Sequence, residues 1–261
     1  MIPLINNLNP KSTYNGFQVS LGETPEHLTF RPRLVKPKKK KIPIVLIGAS
    51  TPSQIFEELV KLNTSLADCV FIHAGHGAQD VNDYLNLASP GWQTINSAIP
   101  AAGFTFNDIK WIITCQEDLK SNSNVFPSAP LALKDLEISL INLFKSKFPN
   151  LKVIDIFSRL NAHTIDPVAY KQFVSPSDYN NCFSAKWVVE SSFATNHLIN
   201  GVWVTDAPSM WTDGETVRSD GFAIKYSWFK TDGSPHLALG EGRTYLANWL
   251  FNYCKRYSEF K

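Results

Sequence analysis

The chain has 261 residues, of which 44% are hydrophobic and 18% charged, with a formal net charge of +2 at pH 7. This composition is typical of a globular domain that buries a sizeable core. A charge so near zero gives no reason to expect a nucleic acid partner. No apolar run approaches the roughly 20 residues of a membrane-spanning helix. No secretion signal is recognisable at the N-terminus, and the compartment stays open. The oligomeric state is open as well.

Residues 1–41 differ in composition from the rest of the chain. They are rich in Asn, Pro, Thr and Lys, and they end in the basic run Lys36-Pro-Lys-Lys-Lys-Lys41. Such a run is found in nuclear or polyanion-binding signals, but we favour a solvated approach to a buried strand. We therefore expect an irregular leader over 1–41 and a single domain over 42–261.

From residue 42 onward, short apolar runs alternate with segments of helical periodicity. The predicted strands are Ile42–Ile47, Cys69–Ile72, Trp111–Thr114, Val153–Ile156 and Val202–Thr205. The predicted helices lie near 52–62, 92–102, 129–147, 184–196 and 243–256. This alternation indicates an α/β domain with a central parallel sheet of about five strands and helices on both faces.

The first predicted helix has a clear start signal. Thr51 is a good N-cap, Pro52 suits the first helical position, and Gln54 can complete a capping box. Ser50 would then lie just before the helix, where the positive end of the helix dipole favours an anion.

The four cysteines show no spacing typical of a metal site. Cys69 and Cys115 lie in predicted strands, which indicates buried thiols. A disulfide between Cys182 and Cys254 is an open alternative.

Polar or glycine-rich segments follow four of the predicted strands, and ligands bind beyond the carboxyl ends of the strands in such sheets. A serine becomes nucleophilic when a histidine removes its proton and a third group orients that histidine. The convergence of these segments therefore predicts a serine hydrolase. The segments are Ser50, His73–Gln79, Cys115–Asp118 and, after a long excursion, Asp232–His236.

The order of these segments resembles the SGNH (GDSL-like) hydrolases, and further landmarks resemble a divergent branch of that superfamily. The resemblance covers residues 42–256 and implies a three-layer flavodoxin-like fold and an esterase that needs no cofactor and no metal. The landmarks are Pro90-Gly-Trp92-Gln93, Phe148-Pro-Asn-Leu151, Lys186-Trp187, Trp211-Thr-Asp213-Gly214 and Arg218-Ser-Asp-Gly221.

Transferred residue by residue, the resemblance implies that Ser50 is the nucleophile, His236 the general base and Asp232 its orienting carboxylate. Gly77 falls at the position of the oxyanion glycine, and Gln116 near that of the oxyanion asparagine. The chain departs from the pattern in three places. Its first block lacks the acid of Gly-Asp-Ser, a glutamine replaces the asparagine, and three residues rather than two separate Asp232 from His236.

Two nearby groups allow alternative interpretations. His73, His76 and Asp80 could bind zinc, but the segment is rich in glycine and lacks a further ligand, so we expect no metal and place His76 in the substrate pocket. Arg218 either binds an anionic group of the substrate or braces its own loop.

Several aromatic residues lie in the late loops. Such residues stack on sugars in some proteins and fill the core in others. They weakly favour a small-molecule or glycan ester as the substrate over a long lipid. They are Trp187, Trp203, Trp211, Trp228 and Phe229. A carbohydrate O-acetyl ester is one candidate, and we expect no nucleic acid and no membrane surface as partner.

Two other functions remain as alternatives. One is a catalytically inactive glycan- or protein-binding module of the same fold. The other is a nucleotide-binding flavodoxin-like protein, which is disfavoured because the segment Gly48-Ala-Ser-Thr-Pro52 lacks a glycine-rich phosphate loop with a lysine.

Overall fold

The computed structural model describes residues 41–65, 68–118, 126–158, 177–207, 209–210, 212, 216–230 and 236–258. The predicted leader, except Lys41, lies outside the described residues. No helix in the described part of the chain is long and apolar enough to cross a membrane.

A six-stranded sheet forms the centre of the domain, with the order β2-β1-β3-β4-β6-β5. Neighbouring strands are parallel except for β5, which is antiparallel to β6. The five parallel strands follow the flavodoxin-like order 2-1-3-4-5, which confirms the predicted fold class. The strands are β1 (Ile42–Gly48), β2 (Cys69–His73), β3 (Trp111–Cys115), β4 (Val153–Ile156), β5 (Leu198–Ile199) and β6 (Val202–Asp206).

The short strand β5 was not predicted. It pairs with β6 through a tight turn at Asn200 and Gly201, which both have positive φ angles. Asn-Gly is the sequence preferred in such hairpin turns, so the sequence did contain a signal for the turn. The strand itself was missed because two residues are too few to show strand periodicity.

Helices cover both faces of the sheet. Alternate residues of β1 show this division, since Ile44 and Leu46 belong to one buried cluster and Val45 and Ile47 to the other. The cluster of Ile44 and Leu46 includes residues of α1 and α6, and the other includes residues of α3, α4 and α5. The helices are α1 (Ser50–Lys61), α2 (Val81–Leu85), α3 (Pro90–Ala101), α4 (Ser128–Lys147), α5 (Ser177–Ser191) and α6 (Glu241–Ser258).

The predicted helix at 184–196 was wrong in its limits, and α2 was missed. The helix α5 ends at Ser191, and Phe193–Thr195 form a separate single turn of 3-10 helix. Asn196 and His197, which follow, have positive φ angles that no α-helix accommodates. The five residues of α2 are too few to show helical periodicity.

All four cysteines are thiols. Cys69 and Cys115 are buried in strands of the sheet, as predicted. The alternative of a disulfide between Cys182 and Cys254 is excluded because neither is bridged.

Candidate functional site

Ser50 lies at the carboxyl edge of the sheet, where β1 passes almost directly into α1. The prediction that Thr51 caps this helix was wrong, because the helix begins at Ser50 and Ala49 is its N-cap. Thr51 is buried within the first turn, so its hydroxyl does not precede the helix as a cap must. Ser50 itself is partly buried. It therefore occupies the first turn, where N–H groups lack intrahelical acceptors and the helix dipole favours negative charge.

The loop after β2 packs closely against the end of β1 through Gly75. A Cβ atom on Gly75 would lie 2.6 Å from the carbonyl oxygen of Gly48 and 2.8 Å from Ser53 Oγ. Ser53 Oγ in turn donates a hydrogen bond to Gly48 O at 3.0 Å. Gly77, the predicted oxyanion glycine, is exposed, and a Cβ there would meet nothing within 4 Å. The glycine that the close approach requires is thus Gly75, which was not predicted, while the role of Gly77 stays a prediction.

A buried tyrosine joins the same two segments. Tyr84 accepts a hydrogen bond from the backbone N–H of His76 at 3.0 Å, and its hydroxyl donates to Gly48 O at 3.5 Å. Burial raises the pKa of Tyr84 to about 12, so the phenol keeps the proton that it donates. Tyr84 was missed because it belongs to α2, which was itself not predicted.

The imidazole of His76 is held in one tautomer by Thr94. The Thr94 hydroxyl donates its single proton to the carbonyl of Pro90 at 3.0 Å. It must therefore accept from His76 Nδ1, which lies 3.0 Å away. Nδ1 of His76 then carries a proton, and the lone pair of the neutral ring is on Nε2. Its role in the substrate pocket stays a prediction.

Gln116 follows β3 and is almost fully buried, with 1% of its surface exposed. Its amide Nε2 donates to Thr114 Oγ1 at 2.8 Å, and its backbone carbonyl accepts a hydrogen bond from Asn181 of α5. One N–H of this amide is thus committed to Thr114, which leaves one for the predicted oxyanion role.

His236 is held beside the first turns of α1. The N–H of the next residue, Leu237, donates to Gln54 Oε1 at 2.9 Å, and Lys230 donates its N–H to the carbonyl of His236 at 2.9 Å. Gln54 lies one helical turn after Ser50, so both residues share a face of α1. The predicted capping box at Gln54 was therefore wrong, because this side chain is engaged by Leu237. Asp232, the predicted third member of the triad, lies outside the described residues.

The zinc alternative finds no support in the geometry. The carboxylate of Asp80 accepts hydrogen bonds from the N–H groups of Asn82 and Asp83 and so caps α2. Burial lowers the pKa of His73, an effect that Glu57 partly opposes. Among the described residues, no group of three His, Cys, Asp or Glu side chains could hold a metal ion.

Arg218 braces its own loop. Its guanidinium donates to both carboxylate oxygens of Asp220 and, at 2.7 Å, to the carbonyl of Ser209. This geometry agrees with the bracing interpretation rather than with an anion-binding arginine.

The predicted aromatic residues divide into core and surface. Trp228 and Phe229 are buried in the core, whereas Trp211 lies outside the described residues. Trp187 is partly exposed and contacts Phe183 and Phe126, and Phe126 has 58% of its surface exposed. Trp203 stacks on His197 with ring centroids 5.5 Å apart.

Comparison with known proteins gives structural similarity only, since no protein-family model and no curated protein sequence matches the chain. One similar structure is a protein from Slackia heliotrinireducens provisionally assigned to the SGNH hydrolases, with 14% identity and a TM-score of 0.47, covering 82% of this chain and all of that one. Another is the periplasmic domain of a lipopolysaccharide acetyltransferase from Salmonella ser. Paratyphi A, with 14% identity and a TM-score of 0.42, covering 85% of each chain.

Proposed function

We propose that this protein is a serine esterase of the SGNH type, with Ser50 as nucleophile, His236 as general base and Asp232 as the carboxylate that orients His236. The observation that carries the proposal is the hydrogen bond between Leu237 N–H and Gln54. This bond brings Leu237, the residue after His236, to the face of α1 that begins with Ser50. His236 and Ser50 are 186 positions apart in the sequence.

The chemistry follows from these roles. His236 removes the hydroxyl proton of Ser50 as the oxygen attacks the ester carbonyl, and it then gives that proton to the departing alcohol. Water, deprotonated by the same histidine, then attacks the carbonyl of the acyl-serine. The bond to Ser50 Oγ breaks, the carboxylic acid leaves, and the histidine returns the proton to Ser50 Oγ.

The tetrahedral oxyanion would be stabilised by the N–H groups of Ser50 and Gly77 and by the amide of Gln116. The first turn of α1 adds the favourable field of a helix N-terminus. Loss of one such donor typically lowers the rate by about 10²–10³-fold.

A glycan O-acetyl ester is the substrate class that we favour. The support is the partly exposed aromatic group of Phe126, Phe183 and Trp187, whose ring centroids lie 5.1–6.0 Å apart. Phe126 precedes α4 and Phe183 lies in the first half of α5, both of which begin at the carboxyl edge of the sheet. Aromatic faces of this kind offer a stacking surface to a sugar ring.

Hydrolysis of p-nitrophenyl acetate and p-nitrophenyl butyrate by the purified protein tests the proposal. We expect the wild type to hydrolyse the acetate, and Ser50→Ala and His236→Ala to lose at least about 10³-fold in kcat. Ser97→Ala, on the exposed side of α3, and His197→Asn, on the hairpin of β5, are matched controls that should retain activity.

Full activity in Ser50→Ala would refute the assigned site. An inactive wild type that binds an acetylated glycan would instead support the non-catalytic binding module.

A further inference from the structure

We propose that Gln54 and Arg243 are positioning residues that hold the backbone of Leu237 from both sides and thereby fix His236 against Ser50. This inference rests on the proposed function, because it concerns how the general base reaches the nucleophile. Neither residue belongs to the sequence motifs that carry the SGNH resemblance.

Both polar groups of the Leu237 backbone are engaged by side chains of other elements. Its N–H donates to Gln54 Oε1 of α1 at 2.9 Å. Its carbonyl accepts from Arg243 of α6, with Nε at 3.3 Å and Nη2 at 3.0 Å. The Leu237 side chain is fully buried in the core, so this residue is anchored in three directions while its neighbour His236 stays partly exposed.

Arg243 is itself tied back to α1. Its Nη1 lies 3.2 Å from Glu57 Oε2, and only 6% of the arginine surface is exposed. Glu57 follows Gln54 by three positions and Gln54 follows Ser50 by four, which is the spacing of a single helix face. Ser50, Gln54 and Glu57 therefore lie along one face of α1, which carries the nucleophile, one anchor of Leu237 and the carboxylate that holds the other anchor, Arg243.

The flanking backbone restricts the loop further. Phe229 and Leu237 form an isolated antiparallel bridge, and Ala238 donates its N–H to Trp228 O at 2.7 Å. With these bonds and that of Lys230 to His236 O in place, loss of Gln54 or Arg243 should displace the loop locally while the domain stays folded.

The expected signature is a fall in kcat with little change in KM, because both side chains are engaged by the backbone of Leu237. A displacement of about 1 Å in a catalytic group costs up to roughly 10²-fold in rate. We expect Gln54→Met to lower kcat for p-nitrophenyl acetate by about 10–100-fold and to leave KM within about two-fold of the wild type. Arg243→Lys, which keeps a donor for Leu237 O, should retain more activity than Arg243→Met.

Gln54→Glu gives a readout that a purely structural role would not move. The carboxylate keeps the acceptor for Leu237 N–H, so kcat should recover towards the wild-type value. Its negative charge favours the imidazolium form of nearby His236. The acidic limb of the pH profile of kcat/KM should therefore move upward by about half a pH unit.

Two surface ion pairs on the same helices provide controls. Glu58→Gln removes the pair with Lys61 on α1, and Lys225→Met removes the pair with Glu241 on α6. Both variants should keep the wild-type kcat and pH profile.

Wild-type kcat in Gln54→Met, or an unmoved pH profile in Gln54→Glu, would overturn the positioning role while the Ser50-dependent activity stands. Absence of Ser50-dependent hydrolysis in the wild type would overturn the proposed function and this inference together.

Discussion

Gly75 shows how the absence of a side chain at one position allows two segments to pack closely at this edge of the sheet. Its Cα faces the backbone of Gly48, with the carbonyl oxygen 2.6 Å and the amide nitrogen 3.1 Å from where a Cβ would lie. Both contacts are backbone atoms of β1 and cannot rotate away. The loop after β2 reaches the end of β1 only because this side chain is absent.

Replacement of Gly75 by alanine should therefore destabilise the protein by about 1–3 kcal/mol, since the loop must shift to admit the new methyl group. Urea unfolding followed by circular dichroism measures this change. Gly77→Ala is the matched control and should be nearly neutral, because the position is open. Equal stability of the two variants would show that the loop does not pack on β1 as described.

Residue-scale prediction from sequence succeeded where a local pattern decides and failed where a distant contact does. The apolar run before Gly48 was enough to place Ser50 at the edge of the sheet. Thr51 and Gln54 matched a capping pattern, yet the helix begins two residues earlier than that pattern predicts. Gln54 accepts a hydrogen bond from Leu237, which is 183 positions away. A rule based on neighbouring residues cannot predict a contact between positions so far apart in the sequence.

At the scale of elements, the packing of α4 against α5 buries a carboxyl group. Glu137 is 2% exposed, and neither of its oxygens has a hydrogen-bond partner among the described residues. Ser184 of α5 lies nearby, but its hydroxyl donates to Asn181 O at 3.1 Å. Burial raises the pKa of Glu137 to about 8, and Ser184 opposes this only in part. The carboxyl is therefore protonated in the folded protein at neutral pH.

This burial makes stability depend on pH in a defined direction. The folded pKa of about 8 lies above the ordinary value of 4.5, so between these values the folded state binds more protons than the unfolded state. Stability should fall as pH rises from about 4.5 to about 8 and level off above that. Glu137→Gln, which does not titrate, should lack this contribution.

Unfolding free energies of the wild type and Glu137→Gln at pH 5, 6, 7 and 8 test this prediction. Because other groups titrate equally in both proteins, the difference isolates Glu137. We expect the wild type to lose a few kcal/mol relative to the variant across this range. A difference that stays constant with pH would mean that Glu137 is not buried as an uncharged acid.

At the scale of the whole molecule, the sequence predicts the fold well, but it does not predict the tertiary contacts that surround the candidate site. The five parallel strands were predictable because strands buried on both faces appear as continuous apolar runs. The elements α2 and β5 were missed because five and two residues cannot show a period. The approach of the His236 loop to α1 depends on tertiary hydrogen bonds at Leu237, which only the structure reveals.

The central claim is that Ser50 is a nucleophile activated by His236, and trapping the covalent intermediate tests it most directly. The protein would be mixed with p-nitrophenyl acetate, quenched in acid during turnover and examined by intact-mass and peptide mass spectrometry. The account predicts one acetyl group on the peptide that contains Ser50, absent in Ser50→Ala and strongly reduced in His236→Ala. Acetylation of another residue during turnover would contradict it. So would turnover without a detectable acyl-enzyme in the wild type, together with full activity in Ser50→Ala.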